Sequence, residues 1–280
     1  MLKKIVSVLI FLLMLCYVVF CALVYYKPEI FFYNPSAEKS RLEVAHSNSY
    51  PAQQVEYQSQ DNTALFAWYT PPQKDMPIIV FMHGNSHNLE KFYHKLVPLA
   101  ENGYGTLLPE YRGFGGLKGR ISQSNLEQDA VAAIKWLYSQ GYKNNQIIIY
   151  GMSLGSYTAI YSVHTLGQKE RFKSLILEVP FDSMYNDVKQ LISYPLPLRM
   201  IMRDKFDNLS MITKINLPIL FMGASDDKLV PVERAKALYE FANEPKKMII
   251  YKGAEHSELY NYRNYNDILD WLQNNEEVGL

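Results

Sequence analysis

The chain has 280 residues, of which 48% are hydrophobic and 20% are charged, so it can build a large core and does not have the composition of a disordered chain. Its 28 basic and 28 acidic residues give a formal net charge of zero, which does not favour a nucleic-acid partner because such a partner requires a basic face. The two cysteines, Cys16 and Cys21, both lie near the N-terminus, which leaves the rest of the chain without a disulfide, a thiolate metal site or a cysteine nucleophile.

The N-terminus predicts a single membrane-spanning helix over residues 1–27. Two lysines precede the uncharged run Ile5–Tyr26, which as a helix rising about 1.5 Å per residue is roughly 33 Å long and can cross a hydrocarbon core. A cleaved signal peptide is the alternative, but its apolar region is usually shorter, and Val19–Cys21 is a poor version of its cleavage site. By the positive-inside rule, the two lysines before the span favour a single-pass protein whose main domain is non-cytoplasmic. Basic residues soon after the span reduce the charge difference between its two ends on which this prediction depends.

Residues 28–54 contain Pro, Asn and Ser without a sustained hydrophobic period and are predicted to be a linker and lead-in. Over residues 55–280, short apolar runs alternate with longer helical patterns. The predicted strands are Gln53–Gln58, Ala64–Tyr69, Ile78–Met82, Gly105–Pro109, Gln146–Tyr150, Ser174–Glu178, Pro218–Met222 and Lys247–Tyr251. The predicted helices are Glu90–Asn102, Leu126–Gln140, Leu154–His164, Val232–Phe241 and Tyr265–Asn274.

This order of elements predicts an α/β fold. Several strands, such as Ile78–Met82, are apolar throughout, which is typical of a parallel sheet covered on both faces. The first two strands have no helix between them and are expected to form an antiparallel hairpin. The rest alternates strand and helix, so we expect a mixed, mostly parallel central sheet with helices on both faces.

A serine between two glycines is the first candidate for chemistry. The stretch Gly151-Met152-Ser153-Leu154-Gly155 follows a predicted strand and precedes a predicted helix, the context that a G-x-S-x-G nucleophile turn needs. Glycine supplies the room and the unusual backbone angles, and the hydroxyl then projects beside a helix N-terminus that favours developing negative charge. An ordinary Gly/Ser turn is the alternative, because the spacing also occurs by chance.

A serine hydroxyl needs a base, and the chain order of this kind of site is serine, then acid, then histidine. Only His164 and His256 follow Ser153, and His164 is expected at the far end of the same helix, over about a dozen ångströms away. His256 follows the last predicted strand, in a loop that can reach the serine. We therefore predict His256 as the base.

The acid is expected on the loop after the strand Pro218–Met222, where Asp226 and Asp227 compete. Asp227 is preferred because it heads the spacing Asp-x-x-Val-Pro, and its role would be to orient His256 and stabilise the imidazolium. Asp226 remains the alternative and would otherwise cap the loop or the following helix.

Acyl transfer also needs N–H donors for the tetrahedral oxyanion. The expected donors are the backbone N–H groups of Leu154, directly after the nucleophile, and of Asn85, on the loop after Ile78–Met82. His83 precedes the serine in the chain and is expected to brace that loop rather than act as a base.

Together these pieces resemble the α/β-hydrolase-fold serine hydrolases, and in particular the branch of small α/β-hydrolase-domain proteins with one N-terminal membrane segment. The resemblance covers about Val55 to the C-terminus. It rests on His83-Gly84-Asn85, Tyr111-Arg112-Gly113-Phe114-Gly115, Gly151 to Gly155, Asp227-Lys228-Leu229-Val230-Pro231, Gly253-Ala254-Glu255-His256-Ser257 and the stretch from Tyr194 to Asp207. It implies a Ser153–His256–Asp227 triad without cofactor or metal. Glu110 departs from the pattern, because the family commonly has Asp there.

Residues 180–214, approximately, are expected to form a short cap rich in apolar side chains. On a membrane-tethered domain such a cap suggests a small-molecule or lipid-like acyl ester as substrate, although its side chains could equally serve only to pack the cap onto the core. The predicted function is a serine hydrolase that cleaves a carboxylic ester or thioester through an acyl-enzyme. The alternatives are a peptidase or amidase of the same fold and a non-catalytic binding protein on this fold.

Overall fold

The structure, a computed structural model, describes residues 1–46, 51–191 and 196–276. Residues 192–195, which belong to the predicted cap at 180–214 and include the start of the stretch from Tyr194 to Asp207 quoted above, lie outside the described residues. Within these ranges the strands are β1 (Asn34–Pro35), β2 (Gln53–Gln58), β3 (Ala64–Thr70), β4 (Ile78–Met82), β5 (Ser86–His87), β6 (Gly105–Pro109), β7 (Ile147–Met152), β8 (Ser174–Glu178), β9 (Ile219–Ala224) and β10 (Lys246–Tyr251).

The helices of the same ranges are α1 (Leu2–Tyr26), α2 (Glu29–Phe32), α3 (Leu89–Tyr93), α4 (Val97–Glu101), α5 (Gln123–Ser139), α6 (Leu154–Leu166), α7 (Met184–Leu191), α8 (Leu198–Ile201), α9 (Leu209–Ile212), α10 (Val232–Phe241) and α11 (Asn264–Glu276). Short 3₁₀ turns cover Leu42–His46, Asn144–Gln146 and Leu259–Tyr262. The helix α1 is 25 residues long and apolar enough to cross a membrane.

The central sheet confirms the predicted α/β fold. Among the described residues eight strands run in the order β10-β9-β8-β7-β4-β6-β3-β2. The pairs β2–β3 and β3–β6 are antiparallel, and all other neighbours are parallel. The expected hairpin is therefore β2–β3. Placing β7 between β4 and β8 brings the end of the Ser153 strand next to the loop that carries Asn85.

Strand β4 shows how one apolar run fills two cores. Successive side chains of a strand point to opposite faces. Ile78, Val80 and Met82 pack with α5, α6 and α10, whereas Ile79 and Phe81 pack with α3, α4 and α11. The sheet thus carries helices on both faces, as the continuous apolar strands predicted.

The helix predicted over Glu90–Asn102 is wrong as a single element, because the structure has α3 and α4 with a break between them. Pro98 is the second residue of α4. Proline has no N–H to donate, and its ring clashes with the carbonyl four residues earlier, so a helix cannot run through it without distortion. The chain ends α3 at Tyr93 and starts a new helix at Val97.

Candidate active site

The chain turns sharply at Ser153, between the end of β7 and the start of α6. Ser153 has φ +53° and ψ −119°, a strained conformation for a residue with a side chain. A Cβ on Gly155 would lie 1.9 Å from the carbonyl oxygen of Met82, and one on Gly151 would lie 2.4 Å from the carbonyl oxygen of Gly155. Both glycines of the motif are therefore required by close backbone packing.

His256 connects Ser153 to Asp227 through two hydrogen bonds. Its Nε2 lies 2.9 Å from the Oγ of Ser153, and its Nδ1 lies 2.6 Å from the Oδ2 of Asp227. Because an ionised carboxylate can only accept, Nδ1 carries the proton and Nε2 can accept from the serine hydroxyl. His164, the other histidine after Ser153, lies in the last turn of α6 and takes no part in this arrangement.

The two competing aspartates face different surroundings. The Oδ1 of Asp227 accepts from the backbone N–H groups of Leu229 and Val230 at 2.9 and 2.8 Å, while its Oδ2 faces His256. The side chain of Asp227 is 1% exposed. Asp226 is exposed, and its carboxylate accepts from the hydroxyl of Ser225 at 2.6 Å. The loop therefore directs Asp227, and not Asp226, toward the imidazole.

The two expected oxyanion donors lie on either side of the serine. Leu154 is the first residue of α6, so its N–H has no acceptor within the helix. The loop before Asn85 passes close to Ser153, since a Cβ on Gly84 would lie 3.6 Å from the Cβ of Ser153. The side-chain Nδ2 of Asn85 donates to the carbonyl oxygen of Phe32 at 2.5 Å. The backbone N–H is thus the candidate donor that Asn85 can offer to the site.

His83 lies behind this loop in a fully buried pair with Glu110. Its Nδ1 is 2.8 Å from the carbonyl oxygen of Gly84, and its Nε2 is 3.0 Å from Oε1 of Glu110, with neither side chain exposed. Both ring nitrogens face oxygen atoms, and because a carbonyl oxygen can only accept, Nδ1 donates to Gly84 while Nε2 lies against the carboxyl group of Glu110. Glu110, the residue that departs from the family pattern, therefore holds His83 against the loop.

A charged cluster that no motif predicted lies beside the site, where α7 meets α10. The guanidinium of Arg234 contacts Asp187 at 3.1 Å and Asp182 at 3.3 Å, and it donates to the carbonyl oxygen of Asn186 and the side chain of Gln190. Burial raises the pKa of Asp187 to about 7. The negative charges of Asp182 and Asp227 add to that rise, while Arg234 and His256 oppose it. These residues are 44 to 52 positions from Arg234 in the chain, so no local spacing signals them.

Within the ranges 1–46, 51–191 and 196–276, no group of three or more His, Cys, Asp or Glu side chains is arranged to hold a metal ion.

Comparison with known proteins agrees with this fold. A family model described as the alpha/beta hydrolase fold matches residues 77–207. The chain is 31% identical over 208 residues to the uncharacterized protein Rv2307c of Mycobacterium tuberculosis, covering 73% of this chain and 72% of that one. The fold and the relatives together define the class: this chain belongs to the α/β-hydrolase fold family.

Two further similar proteins have names that state an activity. The chain is 26% identical over 269 residues to the lysophosphatidylserine lipase ABHD12 of Xenopus tropicalis, which covers 79% of this chain and 68% of that protein. The esterase Pf2001 of Pyrococcus furiosus superposes with a TM-score of 0.69 over 87% of this chain and 98% of its own, at 18% identity. At that identity the likeness to the esterase concerns the fold alone.

Proposed function

We propose that the protein is a membrane-anchored serine hydrolase that cleaves a carboxylic ester or thioester of a lipid-like acyl group. The observation that carries this proposal is the pair of hydrogen bonds by which His256 joins the hydroxyl of Ser153 to the carboxylate of Asp227. A hydroxyl, an imidazole and a carboxylate in this order provide a nucleophile, a general base and the group that orients the base.

In the first half-reaction, Ser153 Oγ attacks the substrate carbonyl carbon while His256 Nε2 takes the hydroxyl proton. Negative charge develops on the carbonyl oxygen, where the N–H groups of Leu154 and Asn85 would donate to it. The intermediate collapses when the bond to the leaving group breaks and His256 returns the proton to that group. Asp227 keeps the imidazole in the reactive tautomer and stabilises its charged form throughout.

In the second half-reaction, water attacks the acyl-enzyme carbonyl and His256 takes a proton from that water. The second tetrahedral intermediate expels Ser153, which recovers its proton from the imidazole. The products are the free acid and a regenerated enzyme, so every proton is accounted for by one histidine.

The contact between α1 and the cap supports a substrate that comes from lipid. Val24 of α1 is buried in a cluster with Leu198, Ile201 and Met202. Met200 of α8 is 78% exposed, and the rest of α1 presents exposed apolar side chains along its length. In this proposal residues 1–27 are a single-pass anchor, 55–280 are the hydrolase domain on the non-cytoplasmic side, and about 180–214 are a cap that meets the bilayer surface.

The name of one relative supports the same chemistry, because the protein from Xenopus tropicalis is called a lysophosphatidylserine lipase. We propose by analogy that an ester, rather than an amide, is the scissile bond of this enzyme's substrate.

Labelling with a fluorescent fluorophosphonate tests the nucleophile. The full chain in lipid nanodiscs is compared with Ser153→Ala and His256→Ala, and with Ser156→Ala as the matched control. Ser156 is a buried serine of α6, the helix that follows Ser153, and its hydroxyl has no hydrogen-bond partner among the described residues. We expect labelling of the wild type and of the control and none of the other two. A folded wild type that does not label would favour the non-catalytic alternative.

A chain-length series of nitrophenyl esters tests the substrate class. We expect the kcat/KM to rise from acetate toward long-chain esters, because each buried methylene contributes about 0.8 kcal/mol. A strict preference for acetate would contradict the lipid-like substrate. Faster cleavage of aminoacyl amides than of the matched esters would favour the peptidase alternative.

A further inference from the structure

The lead-in after the membrane helix runs alongside the loop that carries Asn85. The strands β1 and β5 pair in parallel, and the N–H groups of Asn34 and Ser36 donate to the carbonyl oxygens of Asn85 and His87 at 3.2 and 3.0 Å. On the same edge, the side chain of Asn85 donates to the carbonyl oxygen of Phe32. Three hydrogen bonds therefore join this segment to the loop whose Gly84 lies close to Ser153 in space.

The contacts continue along the chain in the same register. The side chain of Asn88 donates to the carbonyl oxygen of Glu38 at 3.2 Å, and the N–H of Leu89 donates to the hydroxyl of Ser40 at 3.2 Å. Arg41 then forms a bidentate ion pair with Glu90, at 3.1 and 2.9 Å. We name residues Phe32–Arg41 the strap.

The loop depends on these partners because its own backbone is strained. His87 has φ +64°, a left-handed conformation that is uncommon for any residue other than glycine and has to be held by its surroundings. The strap accepts or donates on both sides of His87. It also caps α3, whose N-cap residue Asn88 makes no side-chain capping bond of its own, while Ser40 accepts the N–H of Leu89.

The strap also forms contacts with the buried residue Glu110 and with the cap region. The hydroxyl of Ser40 donates to Oε2 of Glu110, which ties the strap to the buried pair that also holds Gly84. The hydroxyl of Tyr33 donates to Asp204 of the cap region at 3.0 Å, and its ring packs edge-on against Phe206. Burial raises the pKa of Tyr33 well above its usual value, so this hydroxyl stays protonated as a donor.

We infer that the strap is a positioning element of the active site, which fixes the Asn85 N–H where the oxyanion develops and so makes the membrane-proximal chain part of the catalytic apparatus. This inference rests on the proposed hydrolase function. A strap that only tied down the N-terminus would affect stability. If the strap positions an oxyanion donor, its contacts act in the transition state, and losing them should lower kcat with little change in KM.

The pair Asn34→Pro and Asn34→Ala separates these roles in the full chain in nanodiscs. The side chain of Asn34 is exposed, so alanine keeps the N–H that bonds to Asn85 and proline removes it. Tyr33 has φ −127° and ψ +145°, the extended conformation that a residue before proline prefers. Ser36→Pro and Ser36→Ala form a second pair for the bond to His87.

We expect both proline variants to lower the kcat for a nitrophenyl ester by about tenfold or more with KM within about twofold, since loss of a whole oxyanion donor costs about 10²–10³ in kcat. The rate of fluorophosphonate labelling should fall in parallel, and each proline variant should lie well below its alanine partner in both measurements, because only the proline variant lacks the N–H. Proline variants that match their alanine partners in kcat would overturn the inference. A wild type that neither labels nor hydrolyses esters would instead overturn the proposed function.

Substitution of Asn85 tests the same positioning role if the proline variants do not fold. Asn85→Ala retains the backbone N–H of residue 85 but removes the side-chain bond to Phe32. It should also lower kcat with KM unchanged and with the melting temperature close to that of the wild type. An unchanged kcat would count against the strap as a positioning element.

Discussion

Lys95 and Glu178 form a buried ion pair beside the strand that carries Ser153. The Nζ of Lys95 lies 2.7 Å from Oε1 of Glu178, and the two side chains are 5% and 0% exposed. The other carboxylate oxygen accepts from the hydroxyl of Tyr150 and from the side chain of Asn264. The backbone carbonyl of Glu178 accepts the N–H of Ser153 at 2.9 Å, so one residue links a buried charge to the turn at Ser153.

Breaking this pair should destabilise the fold strongly. Glu178→Gln leaves the ammonium of Lys95 buried without its counter-charge, and Lys95→Met leaves the carboxylate. Removing one partner of a buried pair typically costs about 3–5 kcal/mol, so we expect each variant to lower the free energy of unfolding by about that amount. Urea unfolding measures it. The double variant should cost clearly less than the sum, and Lys236→Met, at an exposed lysine, should change stability by less than about 0.5 kcal/mol.

Substitutions of the two adjacent aspartates, Asp226 and Asp227, should have clearly different effects on kcat. Asp227→Asn keeps the shape of the side chain but removes the charge that orients His256, and we expect kcat to fall by about 10⁴-fold. Asp226→Asn is the matched control, because Asp226 is exposed and its side chain bonds to its neighbour Ser225. Ester hydrolysis under saturating substrate gives both values. A larger loss in the Asp226 variant would reverse the assignment of the acid.

Arg112 should be more important for stability than for chemistry. Its guanidinium is bound by Asp129 through Nε and Nη2, by Asp61 at 2.6 Å and by the hydroxyl of Ser59. Lysine cannot reproduce this fork, so Arg112→Lys should lower the free energy of unfolding by about 2–4 kcal/mol. Lys135→Met, at an exposed position on the same helix as Asp129, serves as the control in the same urea titration. A loss below about 0.5 kcal/mol would show that the network contributes little.

Asp187 should make stability depend on pH. Burial raises the pKa of Asp187 to about 7, well above the value near 4 of an unfolded aspartate. Between these two values the folded state binds more protons than the unfolded state. The free energy of unfolding should therefore decrease as pH rises from about 4 to about 7 and remain reduced above that.

Comparing the wild type with Asp187→Asn isolates this contribution. Because asparagine does not titrate, the variant should show a flatter dependence of unfolding free energy on pH over the same window. Asp75→Asn is the control, since Asp75 is exposed and remote from Arg234 in the chain. Identical pH profiles for the wild type and Asp187→Asn would contradict the prediction.

Many of the helices and strands could be predicted from the sequence because the patterns that indicate them are local. The strands Gln53–Gln58, Ile78–Met82, Gly105–Pro109 and Ser174–Glu178 have the predicted bounds, since each is a short run that ends at turn residues. The break between α3 and α4 was missed although Pro98 stood in the sequence, because the hydrophobic period continues across it. Helix α5 begins at Gln123 rather than Leu126, because Ser122 caps it by accepting the N–H of Asn125.

By itself, the sequence determined the α/β order, the apolar N-terminal helix and the spacing that singled out Ser153 with His256 and one of two aspartates. Those inferences were possible because the motif glycines are close together in the sequence and the order of the candidate residues along the chain can be read directly from it. The contact of His256 with Asp227, which the sequence preferred over Asp226 without placing it, the Lys95–Glu178 pair and the strap are seen only in the tertiary structure. They join groups roughly 30 to 80 positions apart, many through backbone N–H and C=O groups that every residue carries, and such bonds leave no period or composition for a sequence to display.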